Sequence, residues 1–473
     1  MSGTVTRNVR RLAVAVVVLF LITSLGVGRR MLLSPELAND PQDPRVAALT
    51  LGRARGPILA RDGSVLAEGS PRRTTALASL AQVIGYVSPL YGTAGIESAY
   101  AGALAGQDQA DPLAVLRARY LGEHAPPGSV TLGIDPATQA AAAVALAGRT
   151  GAVIALDPRT GEILASVSLP AFDPRWLADP ARAAAAWAQA GADGSLLDRA
   201  RQGLYPPGSV FKIVTAAAAL DAGVLDPAAK IRVDDPFQAD PSWGAYAVRS
   251  SSAAHGEFDL SLAMVRSENI YFAKAALGVG ADRLALTAAR LGIGRAPALD
   301  LPVSRGQLSR SGTLERPTLV ADTGFGQGEL LVSPLQMALV TAAVANGGSL
   351  VTPQYAVLVR DAAGSILRAS VAAELPRVLT AETAGILRRV LVDAVAAPGA
   401  FAAGARVTGM RVGGKTGTAE NPSGAPHGWF VGFAPAEAPT VVVAVVLEHA
   451  PRGGEDAAPV GAAVLKAAAA RLR

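Results

Sequence analysis

The 473-residue chain contains no cysteine, which excludes disulfide frameworks, thiolate nucleophiles, CxxC redox pairs and cysteine-ligated zinc. Histidine is nearly as scarce. His124, His255, His427 and His449 fall at no spacing that would set two of them on one helical face as metal ligands. Charged residues make up only 17% of the chain and aromatics 5%, and basic residues nowhere run beyond pairs interleaved with aromatic side chains. Nucleic-acid binding is therefore excluded despite the net charge of +5. No G-x-S-x-G elbow occurs, which argues against a Ser-His-Asp hydrolase. Lysine stands only at Lys212, Lys230, Lys274, Lys415 and Lys466, and the remaining 38 basic residues are arginine. Arginine keeps its proton in a protein, whereas a desolvated lysine can lose it and act as a base. The few lysines are thus the first candidates for chemistry, with Lys230, Lys274 and Lys466 outside any motif.

Half of the residues are apolar, and Gly (50) and Pro (32) together stay below low-complexity levels, so the chain is globular and not disordered. Its length suits two or three units. An uncharged run of 17 residues, Leu12 to Gly28, is flanked by Arg7, Arg10 and Arg11 before it and by Arg29 and Arg30 after it. As a helix it would span about 26 Å, with the arginines reaching the interfaces. The adjacent Arg29-Arg30 pair, in place of a small-residue cleavage site, favours an uncleaved anchor over a signal peptide. The slight excess of arginine on the N-terminal side places residues 1–11 in the cytoplasm.

A turn-rich connector at Pro35, Asp40-Pro41 and Asp43-Pro44 follows the anchor. Residues 57–67 form a hairpin pattern closed by Asp62-Gly63, and Pro126-Pro127-Gly128 marks a boundary. The expected organisation is a tail (1–11), an anchor (12–28), a small N-terminal unit (29–127) and a large unit (128–473). In the large unit, strand runs at 152–156 and 163–168 precede a long helical stretch. Apolar strands at 429–434 and 440–447 and a helix from Val460 to Leu472 close the chain. That order predicts an α+β fold, a sheet with a helical region inserted.

Three short patterns carry chemistry. In Pro206-Pro207-Gly208-Ser209-Val210-Phe211-Lys212, the stop delivers Ser209 to a helix start with Lys212 three residues on, so a neutral amine can take the hydroxyl proton. Ser267-Glu268-Asn269 offers a hydroxyl for proton relay and an amide for a substrate carbonyl. Gly413-Gly414-Lys415-Thr416-Gly417-Thr418 offers a strand edge that a substrate backbone can approach, hydroxyls for a carboxylate, and a positive field that favours a neutral Lys212. The last stretch also satisfies the P-loop expression from Gly409 to Thr416. The helix-breaking Gly417, Pro422 and Gly424 that follow argue against a nucleotide site.

In the order Ser209/Lys212, Ser267/Asn269, Lys415-Thr416-Gly417, the patterns resemble the active-site set of penicillin-binding proteins and serine β-lactamases. Arg55-Gly56-Pro57-Ile58, Arg61-Asp62-Gly63 and Gly85-Tyr86 through Gly95-Ile96-Glu97 are similar to the pedestal of class B penicillin-binding proteins. Gly326-Gln327-Gly328, Ser333-Pro334-Leu335-Gln336 and His427-Gly428-Trp429-Phe430 are similar to their transpeptidase domain, so the likeness covers most of 50–450. It implies a transpeptidase domain with an antiparallel sheet flanked by helices and a helical subdomain. The implied activity is that of a peptidoglycan D,D-transpeptidase, acylated by stem peptides and by β-lactams and needing no cofactor.

By that resemblance Ser209 is the nucleophile, Lys212 the base, and Ser267 and Asn269 the relay and substrate contact. Lys415, Thr416 and Thr418 form the carboxylate and electrostatic site, Gly417 is substrate-binding with the two threonines, and the N–H groups of Ser209 and Thr418 form the oxyanion hole. The expected partner is a membrane glycan polymerase of the shape, elongation, division and sporulation family. The expected location is the bacterial cell membrane, single-pass, with the catalytic domain outside. A D,D-carboxypeptidase, a β-lactamase or penicillin sensor, and a non-catalytic cell-wall scaffold are the alternatives. A β-lactamase with a glutamate-activated water would need E-x-x-L-N between Ser267 and Lys415, which is absent. The intact Ser209, Lys212 and Lys415 argue against a scaffold.

Overall fold

The computed structural model describes residues 2–33, 54–69, 74–75, 77–108, 111, 113, 126–251, 255–370, 376–421 and 424–471. The connector prolines Pro35, Pro41 and Pro44, together with His124, Pro422 and Leu472, lie outside the described residues. Ser2–Leu33 is one helix, and the stretch Val9–Val27 within it is 19 residues long, apolar and entirely exposed. The uncharged run thus sits inside a longer helix, which is what backbone hydrogen bonding favours once the run is too apolar for water.

The central sheet has five antiparallel strands in the order Gly413–Asn421, Gly424–Ala434, Val441–Leu447, Gly151–Leu156, Ile163–Leu169. Its middle strand reads Val-Val-Val-Ala-Val-Val-Leu and is buried throughout, as a β-branched run covered on both faces should be. Val441, Val443, Val445 and Leu447 pack with Ala457, Val464, Leu465 and Ala468 of the closing helix and with Ala142 and Leu146 of helix Pro136–Leu146. Val442, Ala444 and Val446 face the other way, into the larger core that holds helices Lys212–Asp221 and Pro334–Ala345. The architecture is the α+β sandwich that the element order predicted. Two details differ. The closing helix begins at Gly453, earlier than Val460, and runs through Pro459, because a proline removes only one hydrogen bond from a helix otherwise held by packing. The Gly409–Thr416 expression leads into strand Gly413–Asn421 and no helix, so the P-loop fold is absent.

A second sheet of six strands has the order Ile366–Ala369, Ala356–Arg360, Ser129–Leu132, Ile58–Leu59, Val65–Glu68, Thr74–Thr75. Its ladder crosses residue 128, because Ile58 and Leu59 pair in parallel with Val130 and Thr131, while Ala356–Arg360 pairs antiparallel with the other side of Ser129–Leu132. The approach is tight, since a Cβ on Gly56 would lie 1.5 Å from Gly128 O. Below this ladder, Arg55 Nη2 sits 2.6 Å from Glu97 Oε2 with the two side chains 2% and 1% exposed, and Arg55 Nε donates to the same oxygen at 2.7 Å. Residues 42 positions apart are thereby locked together.

Breaking a buried ion pair leaves one charge uncompensated, typically at a cost of about 3–5 kcal/mol. Glu97→Ala is expected to lower stability by that amount in urea unfolding followed by circular dichroism. The double variant Arg55→Met/Glu97→Leu is expected to lose much less, and equal losses would show that an uncompensated Arg55 charge is not what destabilises Glu97→Ala.

Candidate active site

The turn before Ser209 is held from three sides. Trp429 Nε1 donates to Pro206 O at 2.9 Å, and Gly208 N donates to Gly326 O at 2.9 Å. Gly208 has φ +54, and a Cβ there would come within 2.5 Å of Thr418 O, so both the backbone conformation and the contact require glycine. Ser209 lies in a 3-10 turn, Gly208–Phe211, and the α-helix starts only at Lys212. In a 3-10 turn side chains three apart eclipse, which brings Lys212 Nζ to 2.9 Å from Ser209 Oγ.

Lys212 is fully buried, and its amine has three further oxygen neighbours: Ser267 O at 2.5 Å, Asn269 Oδ1 at 2.8 Å and Ser267 Oγ at 3.2 Å. A neutral amine has two N–H groups and one lone pair. The carbonyls of Ser267 and Asn269 can only accept and therefore take the two N–H groups. The lone pair is left for a hydroxyl proton, and Ser209 Oγ is in reach. Burial pushes the Lys212 amine well below its usual range, the neighbouring Lys415 lowers it further, and Glu268 opposes both. The sequence reading made the Lys415 field the reason for a neutral Lys212. Desolvation is the larger cause, because the ammonium loses its water before it meets any second cation.

Lys415 lies on the edge strand Gly413–Asn421 and is 1% exposed. Its Nζ donates to Ser267 Oγ at 2.8 Å and to Thr416 O at 2.9 Å, and burial lowers it to about 7. Ser267 Oγ thus stands between two amines, 3.2 Å from one and 2.8 Å from the other, in a turn between helices Leu260–Val265 and Asn269–Val279.

Ser209, Ser267, Asn269, Thr416, Gly417 and Thr418 line one open cleft of about 1270 Å³. The structure therefore brings together all eight residues singled out in sequence, six on the cleft wall and the two lysines directly beneath it. Thr418 is exposed, and its hydroxyl donates to Pro451 O at 3.2 Å. Lys230 and Lys466 are exposed, and Lys274 is engaged with Arg232 O at 2.7 Å, away from this site. Several residues of the site escaped the sequence reading. Arg249, Ser251, Tyr246 and Asp322 also line the cleft, and Tyr246 OH donates to Asp322 Oδ1. Glu268, to which the sequence pattern assigns no role, is completely buried and caps the following helix by accepting from Ile270 N at 3.1 Å. Its place inside a three-residue pattern was the one available signal. Among the described residues no group of three or more acidic or histidine side chains converges as a metal site.

A serine held against a buried neutral lysine, with a second lysine on a sheet edge across a relay hydroxyl, defines a serine acyl-transfer site of the S-x-x-K class. Comparison with known families agrees. Residues 151–466 match the penicillin-binding protein transpeptidase domain, and residues 55–130 match the penicillin-binding protein A dimerisation domain. The chain belongs to the penicillin-binding protein transpeptidase family and is of class B. It is 31% identical over 494 residues to the peptidoglycan D,D-transpeptidase PbpA of Mycolicibacterium smegmatis, covering 98% of each chain. Against the Mycobacterium tuberculosis counterpart it is 31% identical over 490 residues, again with 98% of each covered. The solved imipenem acyl-enzyme complex of penicillin-binding protein A from M. tuberculosis superposes with a TM-score of 0.80 at 30% identity, over 89% of this chain and 99% of that one.

Lys415 holds its proton only below about 7 when folded, but up to about 10.5 when unfolded. Between those values the unfolded state binds more protons, so stability rises with pH across the window. Lys415→Met removes this contribution. Its unfolding midpoint is expected to climb less steeply between pH 7 and about 10 than that of the wild type, and parallel slopes would show that Lys415 is not depressed.

Proposed function

We propose that the protein is a membrane-anchored peptidoglycan D,D-transpeptidase working through a Ser209 acyl-enzyme. The activity is the one named for its relatives of full-length similarity. The observation that carries the reading is the Lys212 amine at 2.9 Å from Ser209 Oγ with both N–H groups committed to the carbonyls of Ser267 and Asn269.

Ser209 Oγ attacks the carbonyl of the penultimate D-Ala of a donor stem, and its proton passes to the Lys212 lone pair. The N–H groups of Ser209 and Thr418 hold the oxyanion. Collapse breaks the D-Ala–D-Ala amide, and the leaving amine takes a proton from Lys212, with Ser267 Oγ as the relay to Lys415. Thr416 and Thr418 bind the terminal carboxylate beside the Lys415 charge, Gly417 leaves room for the substrate backbone, and the Asn269 amide holds a donor carbonyl. An amine of a second stem then attacks the ester, Lys212 accepts its proton and passes it to Ser209 Oγ as the ester bond breaks, and both groups are restored. At about 1270 Å³ the cleft exceeds the roughly 300–1,000 Å³ of a single small-ligand pocket, room for two peptides.

In this reading residues 29–127 are the pedestal and 128–473 the catalytic unit, outside a membrane crossed once by the N-terminal helix, with residues 1–11 in the cytoplasm. The partner is a membrane glycan polymerase of the shape, elongation, division and sporulation family, which supplies the strands to be joined.

A fluorescent penicillin is expected to label the wild type covalently and to leave Ser209→Ala unlabelled. Given a stem peptide and an acceptor amine, mass spectrometry is expected to show the cross-linked product. Labelling of Ser209→Ala would remove the nucleophile, and free D-Ala with only hydrolysed donor would make the enzyme a carboxypeptidase.

A further inference from the structure

Three consecutive residues of a neighbouring segment touch the three consecutive residues of the relay turn. Asn269 Nδ2 donates to Arg249 O at 3.1 Å, Ser250 Oγ donates to Glu268 Oε2 at 2.7 Å, and Ser251 Oγ donates to Ser267 O at 2.8 Å. The contacts run antiparallel, 249 to 269, 250 to 268 and 251 to 267. The central one is anchored at both ends, because Ser250 N donates to Asp235 Oδ1 at 3.1 Å and Glu268 Oε1 accepts from Ile270 N at 3.1 Å. Ser267 between them has φ +56, the left-handed region that a residue with a side chain holds only when its surroundings impose it.

We propose that Arg249–Ser251 is a clasp that holds Ser267 in this conformation, with Ser250 and Glu268 as its positioning pair. The inference rests on the reading of Lys212 as base. Ser267 O is shared between Ser251 Oγ and Lys212 Nζ, so the place of that carbonyl decides where one N–H of the amine points and hence where its lone pair points. Ser250 and Glu268 do not line the cleft, whereas Arg249, Ser251, Ser267 and Asn269 do. A kinetic effect of the central pair therefore acts through the turn and not through a lost substrate contact.

The test is acylation of the full-length protein in detergent by a fluorescent penicillin, with the acylation rate constant and the saturation constant resolved by rapid quench. Ser250→Ala is expected to lower the rate constant about tenfold with the saturation constant unchanged, the signature of misplaced reacting groups. Ser250→Thr, which keeps the hydroxyl, restores the rate. Glu268→Gln is expected to lose less than Ser250→Ala, since its amide oxygen still accepts from Ile270 N and its NH₂ can donate to Ser250 Oγ. Ser250→Cys, nearly isosteric but a poorer donor, gives the same comparison if the alanine variant does not fold. A wild-type rate constant in Ser250→Ala or Ser250→Cys overturns the clasp, as does a Glu268→Gln variant as slow as Ser250→Ala, which would assign the effect to charge. If Ser209→Ala is still labelled, the reading of the site falls and the clasp with it. If Ser209→Ala is silent and Ser250→Ala is as fast as wild type, only the clasp falls.

Discussion

Two lysine amines are buried within reach of one serine hydroxyl, and most of the catalytic unit is arranged so that this can be so. An isolated ammonium in a low-dielectric interior is so unfavourable that the group gives up its proton instead. With Lys212 neutral, the burial becomes bearable and the amine gains a free lone pair by the same step. Lys415, brought down to about 7, stays close to the point where it can carry or release a charge. The pair needs a carbonyl and an amide oxygen to occupy the N–H groups of Lys212, and the turn Ser267–Asn269 supplies both. Loss of that turn would leave a buried amine with donors unsatisfied and a lone pair aimed nowhere in particular.

The sheet contributes position and access. Lys415 comes from the edge strand Gly413–Asn421, whose inner side is paired with Gly424–Ala434 and whose outer side faces the cleft. An unpaired strand edge is ordinarily a hazard for aggregation, and here it borders the cleft through Thr416, Gly417 and Thr418. The same strand fixes the turn before Ser209, because Gly208 must be bare of a side chain to pass Thr418 O, and Trp429 on the next strand ties down Pro206. Ser209, Lys212 and the strand edge are therefore parts of one packed body.

What could be read in the sequence follows from what is local. Ser209 and Lys212 are one turn apart, so their meeting was legible before any fold was known, although the turn is 3-10. Ser267 and Lys415 lie 148 positions apart, and only the joint order of three weak patterns, recognised by resemblance, brought them together. Arg55 and Glu97 were quoted as separate family signatures, and their direct pairing became visible only in three dimensions. Desolvation was the part the sequence could not rank, because burial belongs to the folded body and no local pattern encodes it. That is why a neighbouring cation was put ahead of it as the cause of a neutral Lys212, and why the buried place of Glu268 went unread.

The scarcity of lysine acquires a physical meaning in this light. Of five lysines, the two inside the body are Lys212 and Lys415, while Lys230 and Lys466 are exposed and Lys274 is half-buried. Elsewhere the chain uses arginine, whose guanidinium keeps its charge and forms fixed forks, as Arg55 does against Glu97. Neither site could accept that exchange. An arginine at 212 would remain protonated where, among the described residues, no carboxylate forms an ion pair with the group and Glu268 only partly offsets the burial, and it would have no lone pair for the Ser209 proton. An arginine at 415 would set a permanent charge against the relay hydroxyl, where the lysine at about 7 can still exchange its proton. The composition and the chemistry thus meet in one requirement: the group must be able to become neutral where water is absent, and of the two long cationic side chains, lysine and arginine, only lysine meets it.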